Sequence, residues 1–394
     1  MIRVADYIAQ RLSEHGIRHV FMVTGGGAMH LNDAFGRHPS LEITCCHHEQ
    51  ACAIAAESHY RLTGELAAVN VTTGPGGLNA LTGIHGAWTD SLGMVVVSGQ
   101  VKRETLVEWA GPAGLRQLGD QEVDIVSVVR PLTKYAAQIQ HPEDIRFHLE
   151  KALHLATSGR PGPVWLDVPS DIQAARIDPA ALRGFRPEPM ALPPLAPRIQ
   201  AFLEMLKGSR RPVILPGSGV RIAGVEDSLR RFAEGLKIPV ATAFNAHDLL
   251  EDRHPCLVGR PGTVGDRSGN FAVQNADLVL VLGCRLNIRQ IGYNWASWAR
   301  AARKVMVDID PLELVKPTLA IDLPVHADLR DFFRALETQG LPEPEPAHAE
   351  YLAWCRERRE RYPVVLPRHR ERESPVNPYA FTEALFEALP EGST

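Results

Sequence analysis

Residues 42–100 read EITCCHHEQACAIAAESHYRLTGELAAVNVTTGPGGLNALTGIHGAWTDSLGMVVVSGQ, and the fold follows from how this stretch alternates. A short run rich in strand formers, Glu42 to Cys45, leads into an Ala-rich helix that opens at Glu49. A second strand, Leu66 to Val71, runs into the glycine turn Gly74-Pro75-Gly76-Gly77, which opens another helix. Strand, helix, strand, turn, helix, strand is the order of a parallel sheet with crossover helices, and such sheets bind ligands beyond the carboxyl ends of their strands. One carboxyl, Glu49, and one glycine turn therefore fall at neighbouring strand ends. The small apolar groups behind Glu49 (Ala51, Cys52, Ala53, Ile54) favour a neutral acid, whereas the first turn of a helix favours a carboxylate. Taken singly, each feature equally fits an ordinary helix start or a tight turn.

Upstream, Val4, Ile8 and Leu12 recur at helical spacing, and Gly16 closes that helix as a left-handed cap. The next strand, His19 to Val23, ends in Thr24-Gly25-Gly26-Gly27 before a helix from Ala28. Three consecutive glycines let a ligand or a neighbouring subunit come very close to the backbone. Neither glycine turn is a dinucleotide fingerprint, because the GxGxxG spacing is not met, and neither is a P-loop, because no Gly-Lys-Ser/Thr closes it. His47 and His48 are adjacent and so point to different sides, which favours structural roles over a metal pair; no metal ligand is assigned. His85, among Ala80, Leu81, Ile84 and Ala87, is expected in the core.

Downstream, residues 177–197 carry Pro179, Pro187, Pro189, Pro193, Pro194 and Pro197, the composition of a linker. A second unit follows, with strands at Pro212–Leu215, Pro239–Thr242, Asp277–Leu282 and Lys304–Ile309 and helices near 225–236 and 268–276. The expected fold is α/β throughout: two doubly wound parallel-sheet domains, residues 1–176 and 198–345, the second Rossmann-like. In residues 346–394 the run RERRERYPVVLPRHRERE alternates Glu with Arg, which reads as a solvated helix and linker.

Composition narrows the function. A net charge of −4 over 394 residues offers no field for a phosphate backbone, so nucleic acid is not an expected partner. No apolar run is long enough to span a bilayer, and MIRVADYIAQRLSEHG lacks a signal-peptide core, so no membrane is expected either. Six cysteines without metal-ligand spacing read as reduced core residues of a cytoplasmic protein, with Cys45-Cys46 ending a buried strand.

The segments HHEQACAIAAESHYRLTG, VTTGPGGLNALTGIHGAWTDSLGMVVVSGQ and SGRPGPVWLDVPSDI together resemble the pyrimidine-binding domain of thiamine diphosphate enzymes of the acetolactate synthase type. Pro216-Gly217-Ser218-Gly219 and Gly283-Cys284-Arg285 resemble that family's central domain. The resemblance implies an enzyme that decarboxylates a 2-oxo acid and joins the acyl carbanion to a carbonyl acceptor, with thiamine diphosphate as cofactor. It implies that Glu49 hydrogen-bonds N1′ of the cofactor's aminopyrimidine. It carries Gly25 and Gly26 to the neighbourhood of the reactive carbon, and Thr72, Pro75 and Asn79 to the aminopyrimidine. Gln121, in LRQLGDQEVDIVSVVRPLTKYAA, corresponds to a Gln that points toward substrate, although a solvated Gln at a helix start fits equally. Residues 99–118 contain no His, unlike the pyruvate decarboxylase type, which favours the carboligating branch.

In this family Mg²⁺ and the diphosphate are held by a GDG motif in a third domain. Here only Gly119-Asp120-Gln121 and Gly265-Asp266-Arg267 come near it, so the Mg²⁺ ligands are expected elsewhere. SPVNPYAFTEALFEALPEGST looks like the opening of that diphosphate-binding domain. FAD occupies the central domain of some relatives, and no residue here decides that point. Expected partners are a small 2-oxo acid and a second copy in a homodimer or tetramer, with the diphosphate-binding domain either supplied by a separate chain or lost by truncation. The alternatives are a regulatory or assembly partner of a complete homologue, and a nucleotide-binding module.

Overall fold

The computed structural model describes residues 1–112, 114–371, 374–390 and 392–393. The chain forms two compact units, Met1–Met190 and Ala191–Thr394, each built on its own six-stranded sheet. Both sheets are wholly parallel, as the alternation of apolar runs and amphipathic helices requires.

In the first unit a short strand β1 (Ile2–Arg3) precedes helix α1 (Val4–Glu14). Val4, Ile8 and Leu12 are fully buried, and Gly16 at φ +91° ends the helix in the conformation only glycine adopts readily. The chain continues through β2 (His19–Met22), α2 (Met29–Arg37), β3 (Glu42–Cys45), α3 (Glu49–Thr63), β4 (Ala68–Val71), α4 (Pro75–Asn79), α5 (Leu81–Asp90) and β5 (Met94–Gln100). Then come β6 (Tyr135–Gln138), β7 (Pro163–Pro169) and β8 (Arg176–Ile177), the last pairing antiparallel with β1. The sheet order is β3-β2-β4-β5-β7-β6. β4, β5 and β7 are buried along their whole length, which is why they read as continuous runs rather than alternating ones.

β3 departs from expectation. It is an edge strand with a mostly exposed face, so Cys45 is exposed and Cys46 half-buried rather than core residues. His85 is exposed as well, because Gly83, Ile84 and Ala87 form the buried face of α5 and His85 lies outside it. α3 and α5 cross closely at Gly83, where a Cβ would lie 2.5 Å from that of Ala53.

The second unit runs β9 (Pro212–Pro216), β10 (Val240–Ala241), β11 (Leu257–Gly259), β12 (Leu278–Leu282), β13 (Arg303–Asp308) and β14 (Leu323–His326). Their order, β11-β10-β9-β12-β13-β14, is the doubly wound dinucleotide-fold order. The four strands expected here are present, and two short ones, β11 and β14, complete the edges. In the helix Pro346–Arg361 the Arg/Glu run from Arg356 onward has no buried residue, in keeping with the solvated helix expected of it, and the turns before it pack inward. His348, Tyr351, Leu352 and Cys355 form a buried stripe, with His348 Nε2 3.1 Å from the Ser209 carbonyl and the Tyr351 hydroxyl donating to that of Ala272. No helix among the described residues is long and apolar enough to cross a membrane.

Candidate active site

In a doubly wound sheet the crevice opens where consecutive connections leave in opposite directions. In the first unit β2 connects to β3 on one side and the chain then crosses to β4 on the other, so the switch point lies between β2 and β4. The segment after β2 carries Gly25, Gly26 and Gly27, the loop after β4 and the start of α4 carry Thr72 to Gly77, and Glu49 opens the helix after β3. The sequence-predicted residues therefore gather at one sheet edge.

The two glycine turns are locked together through Thr72. The Gly27 amide donates to Thr72 Oγ1 at 3.1 Å, and a Cβ on Gly25 would lie 2.5 Å from Thr72 Cβ. Gly25 has ordinary extended geometry (φ −168°), so closeness rather than backbone conformation demands glycine there. A Cβ on Gly26 would meet nothing within 4 Å, so this residue faces open space. The Asn32 side chain donates to the Gly25 carbonyl at 3.3 Å, and Gln173 Nε2 donates to that of Gly27 at 2.7 Å, which fixes the turn from behind.

Glu49 is buried at 8% exposure. Its helix is capped by His48, whose Nδ1 accepts the Gln50 amide at 3.1 Å. Glu49 Oε2 accepts from Asn79 Nδ2 at 3.0 Å, while Oε1 has no hydrogen-bond partner among the described residues. Oε1 lies 3.4 Å from the place a Cβ on Gly76 would take, and the same Cβ would be 2.8 Å from Thr72 Cγ2. Pro75 sits at the first position of α4, where its missing N–H costs no helical bond. Burial pushes the nearby Cys52 thiol up to about 12, with Cys46 and the Glu49 charge adding to the effect, so this cysteine is not a nucleophile.

Gln121 reaches the site through its backbone. Gly74, at φ +58°, packs so tightly on it that a Cβ would lie 2.1 Å from the Gln121 carbonyl oxygen, and the Gln121 side chain is exposed. Neither His47 nor His48 joins a metal cluster, and no group of three or more His, Cys, Asp or Glu placed to hold a metal occurs among the described residues. Sequence reasoning missed Asn32, Gln173, Gln100 and Asp167, polar side chains behind the site. The available signal was polarity at the carboxyl end of an otherwise apolar strand, as in Met94–Gln100 and Pro163–Pro169.

The carboxyl is thus held with one oxygen tied and the other facing a glycine. At the second unit's switch point, between β9 and β12, the Gly217 amide donates to the Leu282 carbonyl at 2.9 Å and the Gly219 amide to that of Gly283 at 3.1 Å. Those two amides are used internally.

Comparison with known proteins gives two family matches. Residues 2–128 match the thiamine pyrophosphate enzyme N-terminal TPP binding domain, and residues 199–336 match the thiamine pyrophosphate enzyme central domain. The chain is 33% identical over 399 residues to a probable acetolactate synthase large subunit of Methanocaldococcus jannaschii, covering 98% of this chain and 64% of that protein. It is 30% identical to the acetolactate synthase isozyme 3 large subunit of Escherichia coli, covering 98% of this chain and 66% of that protein. For the acetolactate synthase large subunit of Lactococcus lactis the identity is 33%, over 83% of this chain and 55% of that protein. The chain thus spans between just over half and about two thirds of the length of these relatives.

Proposed function

This chain belongs to the thiamine pyrophosphate enzyme family, of which it carries the N-terminal and central domains, and on that premise we propose that it is the thiamine diphosphate-binding subunit or fragment of an acetolactate synthase-like enzyme. The reaction is decarboxylation of a 2-oxo acid followed by transfer of the acyl unit to a carbonyl acceptor. The observation that carries this reading is Glu49, buried at the switch point with Oε2 tied to Asn79 and Oε1 turned toward Gly76.

Thiamine diphosphate supplies a nucleophilic carbon and an electron sink for the decarboxylation. The chain's own part is to bind and orient. Glu49 would share a proton at Oε1 with the pyrimidine N1′, which promotes proton transfer at the opposite side of that ring. Asn79 holds the carboxyl plane by its bond to Oε2. Gly25 and Gly26 would lie near the reactive carbon, where Gly26 leaves open space, Pro75 would border the pyrimidine, and Thr72 keeps the two turns in register. Gln121 is the residue proposed to meet substrate. Mg²⁺ and the diphosphate would be held by a separate domain or chain, and a homodimer or tetramer fits a cofactor shared between subunits.

The test is made on the assembly isolated from the native source, with its intact mass and co-purifying chains recorded. Exchange of the cofactor's C2 proton, followed by NMR, and 2-oxo acid consumption are compared for the wild type and Glu49→Gln. The expected loss is about 10² to 10⁴-fold in both, the usual range for acid-base catalysis. Equal rates in the two proteins would remove Glu49 from the mechanism.

A further inference from the structure

Behind the candidate site lies a polar network that nothing above uses. Asp167, on β7, is completely buried, and its carboxylate accepts three hydrogen bonds. Oδ1 accepts from the Ser98 hydroxyl at 2.6 Å. Oδ2 accepts from Gln138 Nε2 at 3.0 Å and from Gln100 Nε2 at 3.2 Å. The donor directions are forced. The Trp165 indole N–H donates to Ser98 Oγ at 2.8 Å, and an indole has no acceptor, so the Ser98 proton must go to Asp167.

Gln100 is the branch point. Its Nε2 also donates to the main-chain carbonyl of Val123 at 3.0 Å, and its Oε1 accepts the Val101 amide at 3.1 Å. Both partners of Nε2 are acceptors and the partner of Oε1 is a donor, so only one flip of the amide satisfies all three. Gln100 itself is 1% exposed, with no room to rotate away. Val123 lies two residues beyond Gln121. On the other side of Gln121 the turn is closed by the Glu122 carboxylate, which accepts the Leu118 and Gly119 amides, and from outside it is met by Gly74.

We propose that Gln100 is a positioning residue for the Gln121 segment: its amide, oriented by the buried carboxylate of Asp167, grips the Val123 carbonyl and holds residues 118–124 against the Gly74 turn. The relevance to catalysis rests on Gln121 being the residue that meets substrate, but the mechanical statement does not. Gln138 makes the same kind of bond to the same carboxylate oxygen without touching Val123, and so serves as the internal control.

The experiment is amide hydrogen exchange on the full chain, without cofactor. In Gln100→Met, which keeps the volume and removes both donors, residues 118–124 should exchange about tenfold faster, the effect of one buried hydrogen bond. In Gln138→Met the same segment should stay within about twofold of wild type. Equal loosening in both variants, or none in Gln100→Met, overturns the proposal. Should Gln100→Met not fold, the wild type carries a second test. Burial pushes the Asp167 carboxyl up to about 6 against the pull of Ser98, Gln138 and Gln100, and Asp124 is the charged neighbour that raises it further. Protonation weakens the acceptor that orients Gln100, so protection of 118–124 relative to the core amides of β5 and β7, corrected for intrinsic exchange, should fall as pH drops through about 6 even though the sheet itself gains stability. A flat profile overturns the proposal. If Gln100→Met loosens the segment but Gln121→Ala leaves turnover of the complete assembly unchanged, the clamp stands and the substrate role of Gln121 falls.

Discussion

At the switch point of the first sheet Gly26 faces open space and Glu49 keeps one carboxyl oxygen without a partner among the described residues, whereas at that of the second the Gly217 and Gly219 amides are both taken by carbonyls at the end of β12. The two sheets share strand direction and the kind of connection that makes a crevice. They differ in whether the groups lining that crevice are already satisfied. The Gly217 and Gly219 amides are satisfied by their neighbour strand, whereas the Glu49 oxygen still has an acceptor to offer. Architecture alone does not make a site.

The largest expected effect tests that contrast directly. Glu49→Gln should slow C2-proton exchange in the complete assembly by about 10² to 10⁴-fold. Ser218→Ala, in the turn after β9, should leave exchange within about twofold of wild type, because a turn held by its own backbone contributes no chemistry. A comparable loss from Ser218→Ala would break the comparison.

A second test uses two carboxylates that bracket the sheets. Asp167 in the first unit is raised to about 6 by burial, from an ordinary value of 3.8. A folded-state value above the unfolded one means the native state binds the extra proton, so the stabilisation is full below the unfolded value and is lost as pH rises through about 6. The difference amounts to about 3 kcal/mol. Asp277 in the second unit runs the other way: burial works to raise it, but the Ser209 hydroxyl and the amides of Arg210 and Arg211 outweigh that and hold it below its ordinary value. Its stabilisation is present above the unfolded value and disappears as pH falls. Urea midpoints read from core amides of each sheet should therefore fall in the first unit as pH rises from 4 through about 6 and fall in the second only as pH drops below about 4, and Asp167→Asn should remove the first change. Parallel slopes would mean that the two buried networks are not distinct.

Next come the glycines. Gly25→Ala drives a Cβ to 2.5 Å from a Thr72 side chain, while Gly217→Ala drives one to 2.4 Å from the Gly283 carbonyl oxygen, which is backbone. Each should cost about 1–3 kcal/mol of unfolding free energy. Only the first should be relieved by a second substitution, Thr72→Ala, because a side chain can be trimmed and a carbonyl cannot. A double-mutant cycle by thermal unfolding measures the coupling.

Much of this was legible in the chain. β9 and β12 declare themselves as unbroken apolar runs, and β4 and β5 as apolar runs broken only by Asn70 and by the polar end of β5, because both faces are covered, and Gly16 and the two glycine turns mark where elements stop. Edges were harder. β11 has only three residues and β14 contains Pro324, so neither stands out from a loop, and β3 looked buried although its outer face meets solvent. The stripe His348, Tyr351, Leu352 and Cys355 was hidden by the charge run that follows it. At the site, the side chains that face a ligand were visible from motif and position. Those that hold the turns were not, since Gln173, Asn32 and Gln100 act across long sequence separations that no local pattern encodes.

The smallest effect concerns how α3 begins. His48 accepts the Gln50 amide through Nδ1, an N-cap role in which a shorter side chain with a carbonyl or hydroxyl oxygen performs as well or better. His48→Ala should lower stability by about 1 kcal/mol and His48→Asn by nothing measurable. Thermal unfolding separates these outcomes. If instead both variants keep wild-type stability but slow C2-proton exchange, His48 acts on Glu49 or its ligand rather than on the helix, and the first switch point holds one more working side chain than the capping geometry assigns.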